Sequence, residues 1–247
     1  MILKIDFETK RFPCYYNALG ISIIKESLKA SDEEYYKKLY FYKEKSNKAT
    51  KNFSYSIFIK DYTIENTEFI VNDRVTMYLS TPDLEFGLKI YNGFVKKKQY
   101  KYKEYELKKI RVDLVKEKKI TKEQVIFKTL SPICVKNKEG KFLDIDDNEY
   151  LKELNYVTNM ILNNYRGYGL KRELSFESLD MKKVVVKEPL RDFKKVTNRE
   201  YQYVNAFKGK FELIGDIEDL NDIYKLGIGF KRGQAFGNLD VVAEEVI

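Results

Sequence analysis

The order of hydrophobic periodicities along this 247-residue chain is the feature that most restricts its fold. Residues 3–7 alternate between apolar and polar side chains, which predicts a strand, and residues 16–28 carry apolar side chains at helical spacing. Two strand patterns follow at residues 53–59 and 68–79, then a helical pattern and a Lys/Tyr-rich strand pattern over residues 98–115. The first half therefore has the order β-α-β-β-α-β.

Local signals predict where the helices of this half begin. Ser31 is the predicted N-cap of a second, short helix, because Glu34 lies three residues further on, and this helix should run to about Tyr42. A later helix is predicted to open at Ser80–Asp83, with Pro82 in its first turn, where proline is tolerated. The apolar stripe predicted to be buried on that helix is Leu84, Leu88, Tyr91 and Val95.

The second half repeats the order. A strand pattern at Gln124–Val135, broken at Ser131–Pro132, is followed by a helix that Gly167 should end. Strand patterns over 174–186 and 201–213, a short helix at Asp216–Tyr224 and a last strand from Leu239 come next. Two successive βαββαβ patterns predict an α+β protein with two tandem ferredoxin-like folds, joined near residues 116–123. The predicted domains are residues 1–118 and 119–247.

The composition favours an anionic partner. Lys and Arg number 46 against 38 acidic residues, for a net charge of +8, and basic residues are interleaved with 20 tyrosines, as on single-stranded nucleic-acid surfaces. No apolar run approaches the roughly 18 residues of a membrane span, and the N-terminus lacks a signal-peptide pattern. Cys14 and Cys134 are far apart and fit a reduced cytoplasm. We therefore expect a cytoplasmic protein with no membrane partner.

The chain contains no histidine, which limits its chemistry. Ser-His and Cys-His nucleophilic systems and histidine-rich zinc sites are excluded. Any acid–base catalysis must use Lys, Tyr, Asp or Glu. No ligand cluster with metal-like spacing is visible, so the sequence predicts no metal and no cofactor.

A glycine-rich stretch near the end carries two cations, Lys231 and Arg232, followed by Gln234. Glycines and basic side chains together can present N–H groups and charge to a phosphate chain. The alternative interpretation is a helix C-cap followed by a tight turn into the last strand. The first interpretation predicts an RNA-binding loop, whose glycines are Gly227, Gly229, Gly233 and Gly237.

Several segments together resemble one protein family. They are Phe53–Phe58, Phe127–Ile133 with its Thr129–Pro132 core, and the terminal glycine loop. With the paired ferredoxin-like pattern, they resemble the CRISPR-associated repeat-RNA processing endoribonucleases, the sixth Cas family of the RAMP superfamily. The resemblance implies binding of the repeat in a CRISPR precursor transcript. It also implies metal-independent cleavage by attack of a ribose 2′-OH on the adjacent phosphorus, which leaves a 2′,3′-cyclic phosphate.

The resemblance also assigns catalytic candidates. Counting back from Phe53, the lysine of the family falls on Lys51, its histidine on or beside Tyr40, and its tyrosine near Lys25. Without the histidine, Lys25 and Lys51 would hold the oxyanion, and Tyr40 or Lys51 would supply a proton. We expect chemistry slower by roughly the 10²–10⁴-fold that a general catalyst contributes. The bland alternative is that Tyr40 is a core residue and that both lysines are solvated.

Three functional hypotheses remain open from the sequence. The chain is a repeat-RNA endoribonuclease, a relative that binds repeat RNA without cutting it, or a structural RAMP subunit of a CRISPR ribonucleoprotein effector complex. RNA recognition through shape, loops and the 2′-OH fits all three. A homodimer is also left open.

Overall fold

The computed structural model describes residues 1–42, 45–47, 49–189 and 201–245. The chain divides into two compact units. The first contains Met1–Glu117 together with Gly233–Ala235, and the second contains Lys118–Arg232 together with Phe236–Ile247. None of the helices in the described part of the chain is long and apolar enough to cross a membrane.

The described residues of the first unit form eight strands and three helices. In chain order they are β1 (Ile2–Glu8), β2 (Arg11–Pro13), α1 (Asn17–Ser31), α2 (Glu33–Tyr40), β3 (Phe41–Tyr42), β4 (Lys45–Ser46), β5 (Ser54–Glu65), β6 (Glu68–Ser80), α3 (Leu84–Lys96), β7 (Gln99–Tyr102) and β8 (Tyr105–Val115).

The sheet of the first unit has the strand order β2-β6-β1-β8-β7, and β5 also pairs with β6. The central strand β1 is antiparallel to both β6 and β8. The order β5-β6-β1-β8, with α1 and α3 as connecting helices, is that of a ferredoxin-like βαββαβ fold. Leu3, Ile5 and Phe7 of β1 are buried in one apolar core with Ile23 of α1 and Phe94 of α3.

The second unit has the same plan. Its elements are β9 (Gln124–Thr129), α4 (Tyr150–Arg166), β10 (Ser175–Ser178), β11 (Lys182–Pro189), β12 (Tyr201–Lys208), β13 (Lys210–Ile214), α5 (Ile217–Leu226) and β14 (Leu239–Glu245). The sheet order β10-β13-β9-β14 is again that of a βαββαβ fold, and β11 pairs with β12 in a separate two-stranded sheet. The predicted α+β fold class with two tandem ferredoxin-like folds is confirmed.

Two predicted helix starts are wrong by one or two residues. Asp32, not Ser31, caps α2, because its carboxylate accepts the N–H three residues on at 2.9 Å, and Ser31 is the last residue of α1. Asp83 caps α3 in the same way at 3.0 Å, so Pro82 precedes that helix. In both places the sequence offers a serine and an aspartate within a few residues, and both are good caps. The short helix α2 ends at Tyr40.

The buried face of α3 was also predicted wrongly. Leu84, Leu88 and Val95 are 65%, 56% and 50% exposed. The helix carries a second apolar stripe, and that stripe is the buried one: Phe86, Ile90 and Phe94. Phe86 stacks on Phe53 with ring centroids 4.7 Å apart, so the aromatic stripe enters the core. The aliphatic stripe remains on the surface.

Three segments predicted as single strands are each divided in two. Residues 98–115 form the hairpin β7–β8, residues 174–186 span β10 and the start of β11, and residues 201–213 span β12 and β13. Gly209, with a φ of 152°, lies between the last two. Gly167, with a φ of 86°, ends α4 as predicted. The sequence does not reveal these divisions, because a turn of one or a few residues leaves the apolar alternation nearly uninterrupted.

Candidate functional site

The three residues that the family resemblance selects come from three separate segments of the first unit. Lys25 lies on α1 between residues of the buried stripe and is itself half-buried. Tyr40 is the last residue of α2. Lys51 lies in the segment that precedes β5. The Asp32 cap ends α1 and starts α2.

The structure brings these three residues together. The Lys25 ammonium nitrogen lies 4.7 Å from the centroid of the Tyr40 ring, and that of Lys51 lies 5.6 Å from the same centroid. The Lys51 ammonium group also donates to the carbonyl oxygens of Asn47, at 3.1 Å, and Ala49, at 2.9 Å. The Asn47 N–H donates to the Tyr40 carbonyl oxygen at 2.7 Å, which ties this segment to the end of α2.

The environment of the cluster shifts the protonation equilibria of all three side chains. Burial lowers the pKa of Lys25. Burial also lowers the pKa of Lys51, and the charge of Lys25 lowers it further. Burial raises the pKa of Tyr40, with smaller contributions from Tyr36 and Tyr35. The cluster therefore has a neutral phenol ring near two ammonium groups that lose their protons more readily than free lysine does.

Such a cluster is suited to an anion. Two like charges near one another in a partly desolvated place are unfavourable, and an oxyanion beside them relieves both the desolvation and the repulsion. The bland alternative for Lys25 and Lys51, two solvated lysines, does not describe this geometry, because each is half-buried and directed at the same ring.

Three of the four loop glycines have backbone roles in the second unit. Gly227 ends α5, with a φ of 78°, which agrees with the helix-cap alternative. Gly229 has a φ of 79°, and a Cβ there would lie 2.7 Å from the carbonyl oxygen of Cys134. Gly237 has a φ of 64°, and its Cβ would lie 1.9 Å from the carbonyl oxygen of Ile228. Only glycine fits the last two positions without displacing backbone.

Several N–H groups of this loop are bonded within the protein. Ile228 donates to the Gly237 carbonyl oxygen at 2.9 Å, Phe230 donates to Cys134 at 2.9 Å, and Gly237 donates to Pro132 at 2.8 Å. The expectation that the glycines present their N–H groups to a phosphate is therefore wrong for Gly237. Backbone hydrogen bonds therefore join the glycine loop to the segment around Pro132, which is one of the segments that resemble the family.

The polar residues of the loop differ sharply in accessibility. Lys231 is half-buried and donates to the Glu188 carboxylate at 2.7 Å. Arg232 is only 3% exposed, and its guanidinium donates to the Leu226 carbonyl oxygen. Burial lowers the pKa of Arg232 to about 9. A guanidinium in that position cannot meet a phosphate in solvent, which argues against the predicted phosphate contact of Arg232.

The remaining two loop residues belong to the first unit. The Gln234 carbonyl oxygen accepts a hydrogen bond from the Asn17 side chain, at the start of α1. Gly233 is not among the glycines with positive φ, and a Cβ there would lie 3.8 Å from the Phe53 ring, an ordinary contact. Gln234 is half-buried.

One basic and aromatic surface was missed by the sequence analysis. In the hairpin β11–β12, Lys187 lies directly opposite Tyr203, which is 60% exposed. The Lys187 ammonium nitrogen lies 3.8 Å from the centroid of the Tyr201 ring. The alternation of tyrosines at 201 and 203 is visible in the sequence, but the apolar pattern over residues 174–186 runs across two strands and does not reveal β11 as the hairpin partner.

Comparisons with known proteins agree with this architecture. The family model described as "CRISPR associated protein Cas6, C-terminal" matches residues 115–241, more than half of the chain. The chain therefore belongs to the Cas6 family of CRISPR-associated proteins. A comparison with curated proteins finds no sequence match.

Solved structures share the fold over nearly the whole chain. A Cas6-related protein from Pyrococcus furiosus superposes with a TM-score of 0.81 at 23% identity, covering 99% of each chain. A RAMP protein described as binding different RNA substrates superposes with a TM-score of 0.80 at 20% identity, and the superposition covers 98% of this chain and 100% of the other. A structure described as CRISPR associated protein Cas6 superposes with a TM-score of 0.74 at 19% identity, and the superposition covers 98% of this chain and 99% of the other.

Proposed function

We propose that this Cas6-family chain binds the repeat of a CRISPR precursor transcript and cleaves it once, with the reacting phosphate beside Lys25, Tyr40 and Lys51. The observation that carries the proposal is the placement of two lysine ammonium groups within 6 Å of one tyrosine ring. These residues come from three segments, and the family resemblance places its lysine at Lys51, its histidine on or beside Tyr40 and its tyrosine near Lys25. A net charge of +8 suits an RNA partner.

The proposed reaction needs no group other than the RNA and these side chains. The ribose 2′-oxygen forms a bond to the adjacent phosphorus while the bond from phosphorus to the 5′-oxygen breaks, giving a 2′,3′-cyclic phosphate and a 5′-hydroxyl. The neutral form of Lys51, made more abundant by its lowered pKa, takes the 2′-OH proton. The Lys51 ammonium group so formed then gives a proton to the departing 5′-oxygen.

Lys25 and Tyr40 have supporting roles in this proposal. The Lys25 ammonium group stabilises the negative charge that develops on the phosphoryl oxygens. Both lysine ammonium groups lie near the Tyr40 ring, which positions them. The raised pKa of the Tyr40 hydroxyl makes that group a poor proton donor to the leaving oxygen. The ring, rather than the hydroxyl, is therefore its main contribution.

RNA binding outside the cluster is proposed to use the exposed hairpin and the loop lysine. Lys187 provides a cation opposite the exposed aromatic ring of Tyr203. Such a ring can stack on an unpaired base while the cation binds a phosphate. Lys231 supplies a further charge to the backbone. The loop glycines Gly227, Gly229 and Gly237 allow the positive φ angles that the loop conformation requires.

A relative that binds repeat RNA without cutting it is the second candidate. Two observations favour it: the chain has no histidine, and a protein with the same fold is described as binding different RNA substrates. A structural subunit of a CRISPR effector complex is a third role compatible with the fold. Both differ from the first proposal in predicting no cleavage by the purified chain.

Single-turnover assays with the host's repeat RNA separate these functions. The full chain in excess over labelled RNA should convert it to two fragments, and Lys51→Ala should lower the rate much more than it lowers the affinity, because proton transfer by Lys51 takes place only in the reaction step. Lys60→Ala is a matched control, since Lys60 is an exposed lysine of the same unit. Tight binding without any fragment would replace the endoribonuclease with the binding protein.

A further inference from the structure

The helix that carries Tyr40 is short and is only partly packed into its unit. α2 has 8 residues, fewer than the roughly 12–15 that an isolated helix needs to be stable in water. The structure describes all of its residues, and none of them is fully buried. Its inner side chains, such as Tyr36 and Leu39, are half-buried against the core. The direction of α2 therefore depends on the contacts that it makes with its neighbours.

Lys89 of α3 makes two of these contacts at the start of α2. Its ammonium group donates to the Asp32 carboxylate at 2.5 Å, and its nitrogen lies 4.8 Å from the centroid of the Tyr35 ring. The other oxygen of the Asp32 carboxylate caps α2 by accepting the Tyr35 N–H at 2.9 Å. One carboxylate thus binds the start of α2 and a side chain of α3 at the same time.

Helix electrostatics do not explain a lysine in this place. The N-terminus of a helix carries a partial positive charge and favours anions, and α2 has Glu33 and Glu34 in its first turn. A cation here is unfavourable for the helix unless it binds a particular group. The hydrogen bond between Lys89 and Asp32 lowers the pKa of the carboxyl and raises the pKa of the amine, so both groups stay charged at neutral pH. These contacts indicate that Lys89 ties α2 to α3.

A small change at the start of α2 becomes a larger one at Tyr40. The helix is about 12 Å long at 1.5 Å per residue, so a tilt of about 5° at its start moves its last residue by about 1 Å. The Tyr40 ring centroid lies only 4.7 Å from the Lys25 ammonium nitrogen and 5.6 Å from that of Lys51. Misplacement by about 1 Å can slow a reaction by about a hundredfold, even when its cause is remote.

We propose that Lys89, by its contacts with the start of α2, fixes the direction of that helix and so positions the Tyr40 ring. Lys89 acts through α2, so it is a positioning residue and not a catalytic one. Its effect on cleavage rests on the proposed function of the Lys25–Tyr40–Lys51 cluster. Its effect on the ring does not, because the position of the ring can be measured without RNA.

Lysine NMR signals report the position of the ring. An aromatic ring moves the signals of protons near its face upfield, so the ε-methylene protons of Lys25 and Lys51 respond to Tyr40 in protein that carries isotopically labelled lysine. Lys25→Arg and Lys51→Arg assign the two signals, and Tyr40→Leu gives their positions without the ring. Lys89→Met should move both signals most of the way to the positions found in Tyr40→Leu.

Two further substitutions separate positioning from helix capping. Lys89→Arg keeps a cation that can bind a carboxylate and stack on an aromatic ring, so both signals should stay at their wild-type positions. Asp32→Asn keeps a good capping side chain and removes the charge that Lys89 binds, so it should move the signals as Lys89→Met does. Adding Lys89→Met to Asp32→Asn should move them little further, because the two residues act as one pair.

Lys97→Met is the matched control. Lys97, at the end of α3, forms an ion pair with Glu26 at 3.3 Å, and its nitrogen lies 5.5 Å from the centroid of the Tyr100 ring. Its side chain is 33% exposed, against 26% for Lys89. These two contacts are with α1 and β7 rather than with α2, so the signals should not move. Ion pairs of this exposure add little to stability, so both methionine variants should stay folded.

Cleavage is the second readout. In single-turnover assays at saturating protein, Lys89→Met should lower the rate about tenfold or more and leave RNA affinity within about threefold of wild type, because the ring is misplaced while the binding surface is intact. Lys89→Arg should cleave at close to the wild-type rate. Lys97→Met should do the same.

Three results would overturn the proposal: unchanged lysine signals in folded Lys89→Met, signals that move equally in Lys97→Met, and a wild-type cleavage rate in a Lys89→Met protein whose signals have moved. Near-UV circular dichroism checks folding, and if Lys89→Met does not fold, the signals of Asp32→Asn decide. A wild-type chain that never cuts repeat RNA would remove the proposed function, and the lysine signals alone would then decide whether Lys89 positions the ring.

Discussion

Lys25 and Lys51 hold their ammonium groups over the same aromatic ring, 4.7 and 5.6 Å from the centroid of Tyr40. The charge of Lys25 contributes to the lowered pKa of Lys51, so the two lysines are electrostatically coupled. The chain has no histidine, and this coupling moves the pKa of Lys51 in the direction of neutral pH. The proposed chemistry rests on this relationship.

Arginine at position 51 should separate charge from proton transfer. Lys51→Arg keeps a cation beside the RNA but cannot lose its proton at neutral pH, so RNA affinity should stay within a few-fold of wild type. The single-turnover cleavage rate should fall by about 10²-fold or more, the contribution of a general base. Filter binding and single-turnover cleavage measure the two quantities.

Tyr40→Phe provides the companion control. It keeps the ring that both lysines contact, so its cleavage rate should stay within roughly tenfold of wild type if the hydroxyl transfers no proton. A Lys51→Arg variant that cleaves at the wild-type rate would remove proton transfer from Lys51 and leave it only an electrostatic role.

The pH dependence of cleavage should reveal the influence of Lys25. Below the pKa of Lys51, the neutral fraction of its amine rises about tenfold per pH unit, so the cleavage rate should rise with pH. Lys25→Met removes the charge that helps to lower the pKa of Lys51, so that pKa should rise and the pH–rate profile should move to higher pH. Lys60→Met, at an exposed site, should leave the profile in place.

Lys231 and Arg232 should respond differently to substitution. Lys231→Ala removes a half-buried cation that donates to Glu188 and that we propose contacts one RNA phosphate, so the slope of log affinity against log salt should become shallower by roughly 0.7, the value for one phosphate contact on single-stranded RNA. Arg232→Ala should leave the slope unchanged and lower the melting temperature, because its guanidinium is buried and bonded to the Leu226 carbonyl oxygen. The opposite pattern in a salt titration would show that the loop rearranges on binding RNA.

The order of elements and the fold class could be predicted from the sequence because strand and helix periodicities are local properties. The buried face of α3 could not, because both Leu88 and Phe86 lie on credible apolar stripes. Which stripe is buried depends on the stacking partner, Phe53, which is distant in sequence.

The candidate site was only partly predictable. The resemblance selected Lys25, Tyr40 and Lys51 one by one, but the convergence of the two lysines on one ring depends on how α1, α2 and the segment before β5 pack. The burial of Arg232 was not visible either, because arginine between glycines is usually exposed. Cap choices such as Asp32 over Ser31 depend on a single hydrogen bond.

Two glycines of the loop should differ in their tolerance of a methyl group. Gly237→Ala forces a positive φ on alanine and brings its Cβ against the Ile228 carbonyl oxygen, so the free energy of unfolding should fall by roughly 1–3 kcal/mol or more. Gly233→Ala meets only the Phe53 ring at an ordinary distance and should change stability by less than about 1 kcal/mol. Urea unfolding of the two variants makes the comparison, and equal losses would contradict the distinction.

Analysis of product ends tests the central claim most directly. The purified chain is incubated with the host's repeat RNA in EDTA, beside the same RNA with a 2′-deoxy nucleotide at the cut site. We predict one cut at a rate that EDTA does not change, a 2′,3′-cyclic phosphate on the upstream fragment, and no cut in the 2′-deoxy substrate. Tight binding of the repeat with no cleavage, or cleavage of the 2′-deoxy substrate, would contradict the proposed mechanism.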